Sequence, residues 1–227
     1  MKTRLIGDVH GKIRSLTKIL ENLPEDINDV IQVGDMGVGF APHDPRETLE
    51  MDKLFLKYNL KFIRGNHDNP AVCKTMKSWI VDGTVLNGSS IFIGGAWSID
   101  HAYRMDGVDW WHDEEISQFK FAQLVDIYDL VMPEVMITHD CPESISEDHF
   151  INTGKAMGSV KHTTLTGSAL EMMFRSHQPK LQVFGHWHSD LDVIVDGTRF
   201  ICLDELSYID VDMKTGEVFG EIQRYEY

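Results

Sequence analysis

The segment TRLIGDVHG (residues 3–11) joins a short apolar run to a polar cassette. Residues 3–6 read as a buried strand, and the cassette GDVHG follows immediately. Four more polar cassettes occur where apolar, strand-like runs end: GDMG (34–37), GNHD (65–68), THD (138–140) and GHWH (185–188). This repeated pairing of strand and cassette predicts that several strands deliver polar side chains into one cleft.

The segments between the first cassettes have the periodicity of helices. Residues 12–23 and 46–58 carry apolar side chains at helical spacing, and residues 29–33 and 60–63 read as further strands. A βαβαβ alternation predicts a largely parallel sheet with right-handed crossovers. Ligands of such sheets gather beyond the carboxyl ends of the strands, where the first three cassettes lie.

From Trp79 onward the pattern changes to short strands separated by turn residues, which predicts a second sheet of mixed direction. Residues 98–115 lack periodicity and are expected to form an irregular excursion over the site, and residues 141–162 form another irregular stretch. The remaining predicted helices span residues 117–130 and 166–177, and the predicted strands span 79–82, 84–86, 90–93, 135–137 and 181–184. Three last strands, at 191–195, 199–203 and 207–211, are expected to close the second sheet as a meander.

The chain is long enough for one sizeable hydrophobic core. It has 227 residues, 42% of them hydrophobic, and no linker-like change of composition, so a single α/β domain over residues 1–227 is expected. The three cysteines stand in no CxxC pattern, which argues against a disulfide framework or a thiolate metal site. With no signal-peptide core and no apolar run of membrane-spanning length, the predicted location is the cytoplasm.

The net charge restricts the partners of the protein. A formal charge of −15 repels extended DNA or RNA, even after two divalent cations are bound. A phosphorylated small molecule, a nucleotide or a phosphoprotein remains compatible, because local cations in a cleft can dominate the field there. The sequence does not indicate an oligomeric state.

The cassettes supply oxygen and imidazole groups and no thiolate. This set suits Mn, Fe, Zn, Ni or Co better than a structural cysteine zinc site or an all-oxygen calcium site. The candidates are Asp8, His10, Asp35, Asn66, His67, His139, His186 and His188. Residues two apart, as in DVH and HWH, project on one face of extended backbone, so each of these cassettes can aim two groups at one point.

In order and type, the five cassettes resemble the pattern DxH, GD, GNH[DE], H and GHxH of the calcineurin-like metallophosphoesterases. The resemblance extends from Gly7 to His188. It implies a four-layer α/β/β/α sandwich of two mixed sheets flanked by helices. It also implies two divalent transition-metal ions, with Mn²⁺ the first choice and Fe, Zn, Ni or Co as alternatives. The implied reaction is phosphoester hydrolysis by in-line attack of a metal-bridging hydroxide, without a phosphoenzyme.

The resemblance also implies a role for each cassette residue. Asp8, His10 and His188 would hold one metal ion, and Asn66, His139 and His186 would hold the other. Asp35 would bridge the two ions as a catalytic residue, since a shared carboxylate offsets the repulsion between them. His67 would protonate the leaving group or stabilise the transition state, which suits a side chain whose ordinary pKa is near neutrality.

The second cassette departs from that of the related phosphoprotein phosphatases, which reads GDxxDRG. Val38 and Gly39 stand where those enzymes have an aspartate and a phosphate-binding arginine. Arg64 and Arg104, together with Asn66, are therefore the candidate substrate-binding residues.

The carboxylate that would orient His67 is also missing from its usual place. Asp68 and Asp100 are the candidates, the first because it follows His67 and the second because it lies in the excursion. The acidic run at residues 113–115 is interpreted as a solvated face or a first helical turn.

Three functions are compatible with these features. The leading hypothesis is hydrolysis of phosphomonoesters, including phosphoserine or phosphothreonine. The alternative is a phosphodiesterase or a dinucleotide or nucleotide pyrophosphohydrolase, supported by the missing arginine and by Trp97, Trp110 and Trp111, which could stack on a base. The third is a scaffold that has the fold but no activity.

Overall fold

Two β-sheets packed face to face form the centre of the protein in a computed structural model, which describes residues 2–40, 44–154 and 163–225. The first sheet has five strands, in spatial order β11 (Val218–Arg224), β10 (Ser207–Asp212), β1 (Lys2–Ile6), β2 (Ile27–Gln32) and β3 (Leu60–Phe62). Strands β1, β2 and β3 run parallel to one another, and β10 and β11 continue the sheet antiparallel.

The second sheet has six strands. Their spatial order is β4 (Thr84–Leu86), β5 (Ser90–Ile93), β6 (Val135–Thr138), β7 (Leu181–Phe184), β9 (Thr198–Cys202) and β8 (Leu191–Val195). The four inner strands are mutually parallel, whereas β4 and β8 are antiparallel edges. Both sheets are therefore mixed, as expected.

Helices cover the outer face of each sheet. They are α1 (Ile13–Glu21), α2 (Pro45–Lys57) and α3 (Pro70–Cys73) beside the first sheet, and α4 (Gln118–Val131), α5 (Glu143–Ser146) and α6 (Leu165–Ser176) beside the second, with a 3₁₀ turn (His101–Tyr103) and a π-helical turn (Glu147–Ile151). Ser117 caps α4 by accepting a hydrogen bond from the Lys120 amide. In the described part of the chain, no helix has the length and apolar character needed to span a bilayer.

Alternation of side chains along the strands produces the four layers. In β1, Leu5 packs into the core between the sheets and Ile6 into the core under α1 and α2. In β6, Ile137 faces the central core, whereas Met136 packs beneath α4 and α6. The expected α/β/β/α sandwich is confirmed.

The last strands are arranged differently from the predicted meander. Strand β10 does not join the second sheet; it pairs with β1 in the first. The reason is that β9 already has β7 on one side and β8 on the other, whereas β1 has a free edge. Ile209 and Val211 still reach the central core, but from the opposite sheet.

Three further segments differ from expectation. Residues 79–82 form no strand, because only Trp79 makes a bridge, to Phe62. Strand β11 was not predicted, since its side chains are mostly partly or fully exposed. The stretch 141–162 is helical at Glu143–Ser146 and Glu147–Ile151, and its residues 155–162 lie outside the described part of the chain.

Candidate active site

The five cassettes meet at one edge of the sandwich. GDVHG follows β1, GDMG follows β2 and GNHD follows β3, while THD ends β6 and GHWH follows β7. The parallel strands of each sheet point their carboxyl ends the same way, so both sheets deliver their cassettes to a shared cleft.

Four of the candidate ligands have left-handed backbone conformations, which non-glycine residues seldom adopt. The φ angles are +46° at His10, +59° at Asp35, +67° at His186 and +45° at His188. Such strain costs on the order of 1–3 kcal/mol per residue and collects at functional sites. Hydrogen bonds hold it in place: the amide of His10 donates to the Asp35 carbonyl at 2.8 Å, and the Trp187 amide closes a tight turn around His186.

One group of candidate ligands surrounds Asp8. Ligand atoms of Asp8, His10, Asp35 and His188 all lie within 4.8 Å of one another. The two imidazole Nε2 atoms of His10 and His188 are 3.3 Å apart, and each lies within 3.7 Å of Asp8 Oδ2. That oxygen is buried and has no hydrogen-bond partner. An orphaned carboxylate oxygen facing two imidazoles fits a divalent cation.

A second group lies deeper. His139 Nε2 is 3.2 Å from Asp35 Oδ1 and 3.1 Å from Asn66 Oδ1, and His186 Nδ1 is 3.0 Å from the same amide oxygen. His139 Nδ1 is 2.9 Å from the Val33 carbonyl, which can only accept a hydrogen bond. Nδ1 therefore carries a proton, and Nε2 is the atom aimed into the site.

Asp35 lies between the two groups. Its Oδ1 faces His139, whereas its Oδ2 is 3.8 Å from His10 Nε2. Close approach of the cassettes requires glycine, because a Cβ on Gly65 would overlap the Asp35 carboxylate and one on Gly34 would overlap the His139 ring. The glycines of GD and GN therefore make room for the site.

The charges of the site are strongly coupled. Burial opposes a charged His139, but its interactions with Asp35 outweigh burial and raise the pKa of His139 to about 10. Burial likewise opposes ionisation of Asp35, yet the histidines around it hold its pKa well below the usual range. Burial and the positive charge of His139 lower the pKa of His186, so that this imidazole is neutral.

His67 borders the first group. Its ring makes an edge contact with His10 at 4.8 Å and stacks on Phe40 at 5.7 Å, and its amide donates to Asp35 Oδ1 at 2.7 Å. Nη2 of Arg104 contacts His67 Nε2. A guanidinium can only donate, so Nε2 is the acceptor and His67 is neutral. Burial, followed by the charges of Arg104 and His10, lowers the pKa of His67, although Asp35 acts in the opposite direction.

The two candidate arginines occupy different environments. Arg104 reaches His67 from the excursion and forms an ion pair with Asp100 at 2.7 Å. Arg64 is 6% exposed and directs its guanidinium at Asp82 and at backbone carbonyls of the excursion. Of the two, Arg104 is the one that contacts a cassette histidine beside the first group of ligands.

The two candidate carboxylates for His67 are placed differently as well. Asp68 is fully buried and accepts backbone hydrogen bonds from Met36, Gly37, Val38 and Gly65 at 2.8–3.2 Å, so it ties the second cassette to the third. Asp100 reaches His67 only through Arg104.

Two residues beside the site were not singled out from the sequence. Ser98 Oγ accepts a hydrogen bond from Asn66 Nδ2 at 3.0 Å and donates to Glu114. Glu114 is 3% exposed, so the prediction of a solvated acidic run is wrong for this residue. The side chain of Asp113 is 63% exposed, in agreement with that prediction. Only the position of Glu114 in the excursion hinted at its burial.

Solved structures with the same fold differ widely in sequence. An archaeal phosphodiesterase is 16% identical, with a TM-score of 0.50, and the match covers 98% of this chain and 100% of that one. A putative 5'-nucleotidase from Staphylococcus aureus is 11% identical, with a TM-score of 0.61, over 99% of this chain and 54% of that one. The phosphopantetheinyl hydrolase of Mycobacterium tuberculosis is 14% identical, with a TM-score of 0.51, over 90% and 89%.

The sequence itself is matched at the level of the family. No curated protein sequence matches the chain significantly. The family profile described as calcineurin-like phosphoesterase matches residues 1–190, which contain all five cassettes. The chain therefore belongs to the calcineurin-like phosphoesterases, hydrolases of phosphoric ester bonds that use a dinuclear centre of divalent metal ions.

Proposed function

We propose that this protein is a phosphomonoesterase with two Mn²⁺ ions as its cofactor. The observation that carries the proposal is the guanidinium of Arg104, which lies against His67 beside the first group of ligands. A phosphomonoester carries one more negative charge than a diester, and an arginine at the rim of the site supplies the matching cation. Arg104 would thus bind phosphate in place of the GDxxDRG arginine, which this chain lacks.

The ligands divide between two ions. Asp8, His10 and His188 would hold one ion, Asn66, His139 and His186 the other, and Asp35 would hold both. Two divalent ions bound there would neutralise phosphate oxygens and activate a water molecule. The exposed side of the cleft is at His188, whose side chain is 50% exposed, whereas His139 is fully buried. Substrate would therefore approach from the side of the first ion.

His67 and Arg104 would act together on the substrate. In the free protein, the Arg104 hydrogen bond occupies His67 Nε2. When a phosphate group draws the guanidinium to itself, Nε2 becomes free to take up a proton from solvent and deliver it to the leaving oxygen. Asp100, paired with Arg104, would limit how far the guanidinium can move. Arg64 remains a weaker candidate for phosphate binding because its donors are already engaged.

A phosphodiesterase or nucleotide pyrophosphohydrolase is the second candidate. Phe40, which is half-buried, stacks on His67 and meets the buried Trp111 edge to face at 5.1 Å, so an aromatic side chain borders the site. A partly exposed ring of this kind can stack on a nucleobase. Solved structures with a similar fold include an archaeal phosphodiesterase and a putative 5'-nucleotidase, so diesters and nucleotides both belong in a test of substrates.

A substrate panel tests the proposal. The protein is purified without chelator and assayed with p-nitrophenyl phosphate, its bis ester, a phosphoserine peptide and diadenosine tetraphosphate, each with Mn²⁺, Ni²⁺ and Zn²⁺. We expect the highest kcat/KM on a monoester with Mn²⁺. Preference for the bis ester or the dinucleotide would favour the second candidate, and metal binding without turnover would indicate a scaffold.

A further inference from the structure

We propose that Glu114 and Ser98 are positioning residues that fix the amide of Asn66 with its oxygen toward the second metal ion. The inference rests on the proposed role of Asn66 as a metal ligand. It extends the metal site into the excursion, to two residues that would act through the amide of Asn66. It also explains why one residue of an acidic run is buried beside a site that binds cations.

The hydrogen bonds can be satisfied in only one direction. The carboxylate of Glu114 accepts at both oxygens, from the Ser98 amide at 2.9 Å and from the Ser98 hydroxyl at 2.5 Å. The single hydroxyl proton is thereby used, so Ser98 Oγ can only accept from Asn66, at 3.0 Å. The group that donates must be the NH₂ of the amide.

The orientation of the amide decides what faces the metal ion. With Nδ2 turned to Ser98, Oδ1 of Asn66 lies 3.1 Å from His139 Nε2 and 3.0 Å from His186 Nδ1. The reversed amide has nearly the same shape but would present an NH₂ group, which cannot bind a cation. Ser98 is fully buried and Asn66 is 3% exposed, so reversal of the amide would break a hydrogen bond between two buried polar groups.

The excursion is itself fixed to the site. Arg64 Nη1 donates to the backbone carbonyl of Glu114 and, at 2.9 Å, to that of Asp113. Its Nε donates to Asp82 at 3.1 Å. Arg64 precedes Asn66 by two residues. The contacts therefore form a closed ring, from Arg64 to Glu114, from Glu114 to Ser98, and from Ser98 back to Asn66. This ring keeps the Glu114 carboxylate within hydrogen-bonding distance of the Ser98 hydroxyl.

Glu114→Gln tests the proposal with little change of shape. Its new NH₂ group can donate to Ser98 Oγ, which frees the hydroxyl proton for Asn66 and reverses the amide. Calorimetric titration of the metal-free protein with Mn²⁺, without substrate, should show a second-site affinity weaker by about 10- to 100-fold, the usual effect of removing a group that orients a metal ligand. The first-site affinity should not change.

Glu115→Gln is the matched control. Glu115 accepts hydrogen bonds from the amides of Leu165 and Thr166 at the start of α6, away from the amide of Asn66. This variant should bind both Mn²⁺ ions as the wild type does. An equal loss of second-site affinity in both variants would overturn the proposal.

The Asn66→Asp background separates orientation from general structural damage. Both terminal atoms of an aspartate are oxygens, so it needs no orienting partner, and Glu114→Gln should then change second-site affinity by less than about threefold. The same loss in both backgrounds, or no loss in either, would overturn the proposal. If Glu114→Gln does not fold, Ser98→Ala takes its place in the same comparison.

The readout separates this inference from the proposed function. Mn²⁺ binding is measured without substrate and is therefore independent of turnover. If the wild type shows no turnover but Glu114→Gln still weakens the second site, only the proposed phosphomonoesterase activity is refuted. Normal turnover on monoesters, with unchanged binding in Glu114→Gln, would refute only the positioning role.

Discussion

Arg104 and His67 are in direct contact, with the guanidinium donating to Nε2 of the imidazole. The contact joins the irregular excursion to the third cassette, across 37 residues of sequence. It places a permanent positive charge beside a site whose other candidate groups are histidines, carboxylates and the amide of Asn66. In the proposed function, recognition of the phosphate group would therefore depend on a residue that lies outside all five cassettes.

Arg104→Ala should mainly damage the reaction with monoesters. Loss of a hydrogen bond to a charged group costs about 1.5–3 kcal/mol, so kcat/KM for p-nitrophenyl phosphate should fall roughly 10- to 100-fold. The bis ester has less charge to match and should lose less than about threefold. Arg175→Ala, which removes an arginine that is 76% exposed on α6, is the control and should leave both values unchanged. An equal loss on the two substrates would argue against Arg104 as a monoester ligand.

His67→Ala and Asp35→Ala should separate proton transfer from metal binding. Without His67 the protein should retain both metal ions and lose about 10²- to 10⁴-fold in kcat, the usual contribution of a general acid. Without Asp35 the metal content itself should fall, because this carboxylate faces both groups of ligands. Metal analysis together with steady-state kinetics measures both effects. A similar loss of metal in the two variants would contradict the division of roles.

Metal affinity should increase with pH. His139, with a pKa of about 10 in the metal-free protein, is protonated at neutral pH, but a cation needs the lone pair of its Nε2. Binding therefore expels this proton, and affinity should rise by about tenfold per pH unit for each proton released, up to about pH 10. Calorimetry in two buffers of different ionisation enthalpy counts the released protons. A count of zero at pH 7 would contradict the charge state assigned to His139.

Gly65→Ala should disrupt the site by steric overlap alone. The added Cβ would meet the Asp35 carboxylate and the His139 ring, so binding of Mn²⁺ should weaken and Tm should fall. Gly88→Ala is the control, because its Cβ enters open space and only the left-handed backbone is strained, by about 1–2 kcal/mol. Its Mn²⁺ affinity should stay unchanged. Wild-type Mn²⁺ affinity in Gly65→Ala would show that the cassettes tolerate a wider separation.

The first half of the fold was predictable because local signals and tertiary structure agree there. Strands β1, β2 and β3 lie within a few residues of their predicted bounds, and each is followed by a cassette with glycine where the backbones approach closely. The position of β10 was not predictable from its own residues. Its alternating pattern suits either sheet, and the choice depends on which neighbouring strand has a free edge.

The candidate site also has a part that the sequence predicts and a part that it does not. The cassettes identify the groups that converge on Asp35, since their spacing and residue types are local features of the sequence. The network through Ser98 and Glu114 depends on hydrogen bonds between residues 16 and 32 positions apart, within segments that have no periodicity. Asp68 was one of two candidates to orient His67, but its carboxylate accepts hydrogen bonds from four backbone amides instead. Residue type alone does not reveal that the loop needs these bonds.

The most direct test of the account is the rate of p-nitrophenyl phosphate hydrolysis measured against the number of Mn²⁺ ions bound per chain. If Asp35 holds two ions that act together, turnover should stay low with one ion and rise when the second site fills. Full activity with a single bound ion, or no turnover when both sites are filled, would contradict a dinuclear phosphomonoesterase.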